Sequence, residues 1–415
     1  MSVDDVDVLV IGAGLAGLRC AAVLAAAGSD VRVWEAADDV GGRVRTDLVD
    51  GFRCDHGFQV LNPAYPELPR AVDVDALRLQ GFGPGVAVRR DRGSTVWVHP
   101  LRSPARVPAM LARGGLGPRN LVSVARWATP ALRPRALKAA SNDTSMRDAL
   151  DAAGVRGELR RVIDRFLAGV LLEDSGETSN AFVLLLLRMF VFGVPALPAG
   201  GMHALPRLLA EPIEARIDMQ HNVVGMSRDG GEWRVESPGG SIRARHVVIA
   251  ADPVTAAGLA GLPEPRMRSV VTDWWAADEA PTDPPMLWVD GRTHPTGPVL
   301  NTSVISAAAP TYAPAGRHLI AASALVGADG VEPDEAVVRR HAGDILGTDA
   351  KRWERLTRHV IPGALPAQPP PLAARRPVRL PDGRWVCGDH RDTASIQGAL
   401  VSGRRTAEAL LRAGK

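Results

Sequence analysis

Asp7-Val8-Leu9-Val10-Ile11-Gly12-Ala13-Gly14-Leu15-Ala16-Gly17 opens this chain, and Val31-Arg32-Val33-Trp34-Glu35 follows it. Asp7 to Ile11 reads as a buried parallel strand, followed by a glycine turn and an alanine-rich helix through Ala27. Val31 to Glu35 reads as a second strand, completing a βαβ unit. Gly12 permits a tight turn, Gly14 lets backbone approach a pyrophosphate, and Gly17 lets the helix pack closely on the strand. The helix N-terminus then presents free N–H groups and a positive dipole end to phosphate. Glu35 closes the second strand, where an acid binds ribose hydroxyls. The residues from Gly12 through Ala13, Gly14, Leu15 and Ala16 to Gly17, together with Glu35, are therefore read as a dinucleotide-binding turn.

Val40-Gly41-Gly42-Arg43 comes shortly after Glu35, and Asp55-His56-Gly57-Phe58-Gln59 a little later. Adjacent glycines let backbone pass close to a ligand, and Arg43 can pair with a pyrophosphate. With these residues the chain resembles the flavin amine oxidase and phytoene desaturase superfamily, whose second motif has this Gly-Gly-Arg form. The resemblance continues in Gly200-Gly201-Met202, in the segment at Val223, and from Gly388-Asp389 through Ala394-Ser395-Ile396-Gln397-Gly398-Ala399 to Ser402-Gly403-Arg404. It implies FAD as cofactor, with Val223 offering backbone to the adenine and Asp389 binding the ribityl chain. Ser395 to Ala399 would start a helix aimed at the flavin ring, where its N-terminus stabilises the anionic reduced form.

Within the superfamily, Gln59-Val60-Leu61-Asn62-Pro63-Ala64-Tyr65-Pro66 and Ala-Ser-Ile-Gln-Gly-Ala at 394–399 look closer to plant-type phytoene desaturases. Ile396 stands where many amine oxidases carry an aromatic residue facing the flavin. Only Tyr65 and Tyr312 are present in the whole chain, and Lys occurs only at 138, 351 and 415. A tyrosine-walled amine cage and a lysine beside the flavin are therefore hard to supply. Ile396 and Gln397 are candidates for the flavin face. His56 is a candidate proton acceptor or, equally, a structural histidine.

At 415 residues, two domains are the expectation. The expected architecture is α/β: a three-layer Rossmann-type FAD domain with an inserted α+β substrate domain. Residues 1–80, 200–262 and 372–415 are assigned to the first, and 81–199 and 263–371 to the second. Val223–Met226, Glu232–Ser237 and Ser241–Arg245 read as a small meander feeding a separate buried strand, His246–Ala250. Pro362 to Pro377 reads as an extended crossing segment. Thr144 or Ser145 with Asp148 looks like a helix N-cap.

A formal charge of +3 gives no reason to invoke nucleic acid. Cys20, Cys54 and Cys387 are scattered and odd in number, and no His/Cys spacing suggests a metal, so a reduced cytoplasmic protein is expected. The acidic start at Asp4, Asp5 and Asp7 is unlike a secretory leader. From Arg92 to Asn142 there are eight Arg and Lys138 but no acid. This stretch is read as a peripheral contact with an anionic membrane, a solvated basic face, or a contact with the FAD domain. The expected reaction is dehydrogenation of an apolar small molecule by hydride transfer to flavin N5. Amine oxidation, a non-redox isomerase and a non-catalytic flavin-binding protein are the alternatives. With no second dinucleotide unit, oxygen, a quinone or another acceptor is expected to reoxidise the flavin.

Overall fold

The computed structural model describes residues 5–100, 102–113, 117–132, 142–282, 284–327 and 329–414. Strand Asp5–Ile11 lies inside a seven-stranded sheet, parallel to Val31–Trp34 on one side and to Gly240–Ile249 on the other. Its apolar residues run without interruption because both faces are covered. Val8 and Val10 pack with Leu18, Leu24 and Leu400, whereas Leu9 and Ile11 pack with Val247, Ala256 and Ala260. Helix Leu15–Ala26 and the C-terminal helix Ile396–Ala413 cover the first of these faces. They cross so closely that a Cβ on Gly403 would sit 2.2 Å from the Ala16 carbonyl oxygen. This is a Rossmann-type α/β fold.

Strand register determines where a ligand can bind. Ile11 lies opposite both Trp34 and Ile249, and Ile249 lies opposite Val386. Four parallel strands thus end together, and Gly12, Glu35, Ala250 and Cys387-Gly388 emerge side by side at their carboxyl edge. Open α/β sheets bind ligands at that edge.

The second sheet orders strands Glu354–Pro366, Met267–Ala277, His318–Leu325, Val299–Val304, Leu287–Asp290, Gly85–Arg89 and Ser94–Val98. All neighbours are antiparallel except Leu287–Asp290 with Gly85–Arg89. Ala87 packs with Val338 and Ala342 of helix Glu335–Leu346, while Val88 packs with Val162 of helix Gly157–Leu171. Adjacent strand residues point to opposite faces, so the two helices cover opposite sides. Helices Met146–Ala153, Gly157–Leu171 and Asn180–Phe192 form a further apolar cluster that buries Ala394, two residues before the C-terminal helix. The Ser145 side chain accepts from the Asp148 N–H, the cap read from the sequence.

Two expectations need correction. The meander's last strand and the buried strand after it are one strand, Gly240–Ile249, because no turn residue separates Arg245 from His246. The segment from Pro362 is extended as read, but it starts within a sheet: up to Pro366 it belongs to edge strand Glu354–Pro366, where Pro362 and Pro366 need not donate to a neighbour.

In the basic stretch, helix Pro118–Ala128 leaves Val122 exposed and buries Trp127, whose Nε1 donates to Asn180 Oδ1 at 2.8 Å. Arg133, Arg135 and Lys138 fall outside the described residues. Among the described residues no helix is long and apolar enough to cross a membrane.

Candidate functional site

The glycine turn has two kinds of glycine. Gly12 adopts φ +107°, and a Cβ there would sit 2.8 Å from the Ala250 carbonyl oxygen. A Cβ on Gly17 would fall 1.9 Å from the Gly12 carbonyl oxygen, so both are demanded by the fold itself. Gly14 is different. Its φ of −72° suits any residue, and a Cβ there would meet nothing within 4 Å. Across from it, a Cβ on Gly42 would meet only the Gly14 Cα, at 3.5 Å. Gly14 forms a bridge with Gly41, whose N–H donates to the Ala13 carbonyl at 2.9 Å. Two glycine turns thus face one open space, and the helix starting at Leu15 has neither a side-chain cap nor an acid in its first turn. Such an N-terminus suits a diphosphate, so the residues present fit the nucleotide half of FAD.

Glu35 lies against this turn. Its Oε2 accepts from the Ala13 N–H at 2.6 Å and its Oε1 from the Ala37 N–H at 2.9 Å. The Glu35 carbonyl accepts from the His221 N–H at 2.8 Å, which places Val223 close to the second strand's end. Val223 precedes strand Gly225–Asp229 and makes no backbone hydrogen bond among the described residues.

Arg43 and Asp389 come together: Nη2 donates to Oδ1 at 2.6 Å, and Nη1 donates to the Ala364 carbonyl at 2.8 Å. Asp389 follows Gly388, which adopts φ +149° and donates its N–H to Ser402 Oγ at 3.1 Å. His390 is also buried, with Nδ1 unpartnered, and burial pushes its imidazole down to about 4. Gln59 Nε2 donates to the carbonyls of Arg43 and His56, at 2.8 and 2.9 Å, tying the Gly57 loop to the Arg43 turn. Gly57 has φ +86°, and Phe58 meets Phe82 edge-on at 5.9 Å between ring centroids.

Ser395 caps the C-terminal helix by accepting from the Gly398 N–H at 3.1 Å. Ile396 and Ala399 lie half-buried against the core that holds the first helix. Gln397 has a structural partner, because its Oε1 accepts from the Glu67 N–H at 3.0 Å. Glu67 is the residue that sequence reasoning missed. Its buried carboxylate accepts from Arg19 of the first helix at 3.1 Å and from Arg404 of the last at 2.8 Å. This pins the C-terminal helix start relative to the glycine turn. No local pattern announces it, since the partners lie 48 and 337 positions away.

His56 turns toward the hairpin Thr46–Val49/Phe52–Asp55, with Nε2 2.9 Å from Asp47 Oδ1. Lys351 is 88% exposed beside Asp349, while Lys138 and Lys415 lie outside the described residues. Trp274 and Trp275 are fully buried core residues.

Local sequence matches connect the chain to oxidases and a desaturase alike. A stretch of 67 residues, 16% of this chain and 14% of that protein, is 49% identical to putrescine oxidase of Kocuria rosea. Another of 51 residues, 12% and 10% of the two chains, is 49% identical to carotenoid 3,4-desaturase of Haloarcula japonica. The chain thus spans only about a seventh or less of these relatives. Whole-chain similarity appears among solved structures. An oxidoreductase from Methanosarcina mazei superposes with TM-score 0.75 at 18% identity, over 98% of this chain and 100% of that one. Cyclohexylamine oxidase from Brevibacterium oxydans superposes with TM-score 0.67 at 18% identity, over 99% of each. The family of flavin containing amine oxidoreductases matches residues 15–411, and the chain belongs to it.

Proposed function

We propose that this chain is an FAD-dependent dehydrogenase of an apolar small molecule, nearer in chemistry to the desaturases of its family than to its amine oxidases. When bound, FAD supplies the electron acceptor. It would take up the hydride that a substrate carbon gives, the neighbouring proton passing to solvent and a C=C or C=N bond remaining. Oxygen, a quinone or another acceptor would reoxidise it.

The chain's own residues bind and orient. The turn from Gly12 to Gly17 and the facing Gly41-Gly42 turn would hold the diphosphate, Glu35 the ribose hydroxyls, and the Val223 backbone the adenine. Asp389, aligned by Arg43, would take the ribityl hydroxyls. The helix start from Ser395 to Ala399 would face the ring, with Ile396 as its apolar contact. In this reading residues 1–80, 200–262 and 372–415 form the FAD domain, and 81–199 and 263–371 shape the substrate pocket. His56 is assigned no chemistry, since Asp47 already engages its ring.

The observation that carries the apolar reading is Lys351. Among the described residues it is the one lysine, and it lies on the surface instead of inside a pocket. Amine oxidation is the second reading, favoured by the local similarity to putrescine oxidase. Anaerobic flavin bleaching across terpenoids, porphyrinogens and amines separates them. Bleaching by apolar polyenes or porphyrinogens supports the first, and bleaching by amines alone rejects it.

A further inference from the structure

The hairpin of the first domain and the edge strand of the second sheet meet along a seam, and three side chains with metal-ligating atoms converge there. Asp47 projects from hairpin strand Thr46–Val49, His56 follows the partner strand, and His359 lies in the middle of edge strand Glu354–Pro366. The carboxylate lies between the two rings, with Oδ1 2.9 Å from His56 Nε2 and Oδ2 3.0 Å from His359 Nε2. The ring centroids are 4.5 Å apart, and the three ligand atoms lie within 4.8 Å of one another.

A second observation concerns His359. Its Nδ1 lies 3.0 Å from the Asp55 carbonyl oxygen while its Nε2 faces the Asp47 carboxylate. Both nitrogens therefore meet acceptor oxygens, so the ring either carries two protons or gives its Nε2 lone pair to a cation. With a metal bound, Nδ1–H donates to the carbonyl, and the Nε2 lone pair and the carboxylate both turn to the metal. A backbone carbonyl orienting the far nitrogen is the outer-shell arrangement of metal-binding histidines.

We propose that Asp47, His56 and His359 form a site for one divalent transition metal of the zinc class. Two imidazoles and one carboxylate suit zinc, cobalt or nickel and not magnesium or calcium, whose ligands are oxygens. His359 is nearly buried, whereas Asp47 and His56 are 47% and 31% exposed, which leaves room for a water as the remaining ligand. The metal joins the edge strand to the hairpin and so fixes the second sheet against the FAD domain. This site goes beyond the proposed reaction and does not depend on the substrate.

The test uses the chelator-treated holoprotein, dialysed against zinc, with metal content and unfolding temperature measured. About one zinc per chain and a raised unfolding temperature are expected. Asp47→Asn and His359→Gln should each weaken zinc binding at least tenfold and abolish the thermal response while keeping bound FAD. Cobalt(II) should give ligand-field bands at longer wavelength than the flavin, altered in His56→Gln, which keeps the test open if the other variants fail to fold. Wild type that takes up no zinc, or variants that hold as much zinc as wild type, overturns the proposal. Retention of zinc without the cobalt bands overturns the ligand set.

Discussion

Arg43 donates to the buried carboxylate of Asp389 at 2.6 Å across 346 positions of sequence, joining the second glycine turn to the C-terminal segment. Removing the guanidinium leaves a carboxylate unpaired in the cleft where the proposed ribityl chain lies. Arg43→Ala should lower FAD affinity by at least tenfold, about 1.4 kcal/mol or more. Flavin fluorescence on titration of the apoprotein measures it, and unchanged affinity would remove Arg43 from the site.

Gly14 and Gly17 separate ligand demands from fold demands. Gly14→Ala puts a methyl into open space, so the apoprotein should keep its unfolding temperature while losing FAD. Gly17→Ala drives a Cβ onto the Gly12 carbonyl and should yield little folded protein. Thermal scans with and without added FAD decide it. A Gly14→Ala protein that binds FAD like wild type places the diphosphate elsewhere.

The parts legible in the sequence were the local ones. The turn from Gly12 to Gly17, Glu35 and the Ser145 cap each depend on residues within one βαβ unit or one helical turn, so spacing alone reveals them. The Arg43–Asp389 pair was half visible: both residues stood out in motifs, but their contact did not. The role of Glu67 and the cluster of Asp47, His56 and His359 were invisible, because tertiary packing of separate segments creates them and no spacing encodes them. Strand Gly240–Ile249 was divided in the sequence reading because its two halves have different polarity: Ser241–Arg245 adjoins the meander, whereas His246–Ile249 enters the buried parallel sheet.

Gln397 bonds the Glu67 backbone, so its loss acts through the helix start. Gln397→Leu leaves a buried N–H without its acceptor and should cost about 1–3 kcal/mol. Denaturant unfolding of the apoprotein reads this directly. A variant as stable as wild type, but with an altered flavin potential, would return Gln397 to the flavin edge.

Asp273 is buried in strand Met267–Ala277, with both carboxylate oxygens lacking a hydrogen bond and Arg358 Nε 3.6 Å away. Burial pushes its carboxyl up to about 6, above the unfolded value of roughly 3.9. Its stabilising contribution is thus present below about pH 4 and lost as pH rises through about 6. Asp273→Asn should flatten that loss, gaining about 2 kcal/mol on wild type between about pH 4.5 and 7.5. Unfolding curves at the two pH values measure it, and parallel pH dependence of the two proteins would contradict the assignment.

Cofactor content tests the central claim most directly. Protein purified from cells should be yellow, and heat or acid should release about one FAD per chain, because two glycine turns, Glu35 and Asp389 converge on one cleft at the sheet's carboxyl edge. A colourless, folded chain that cannot be reconstituted with added FAD would contradict the account.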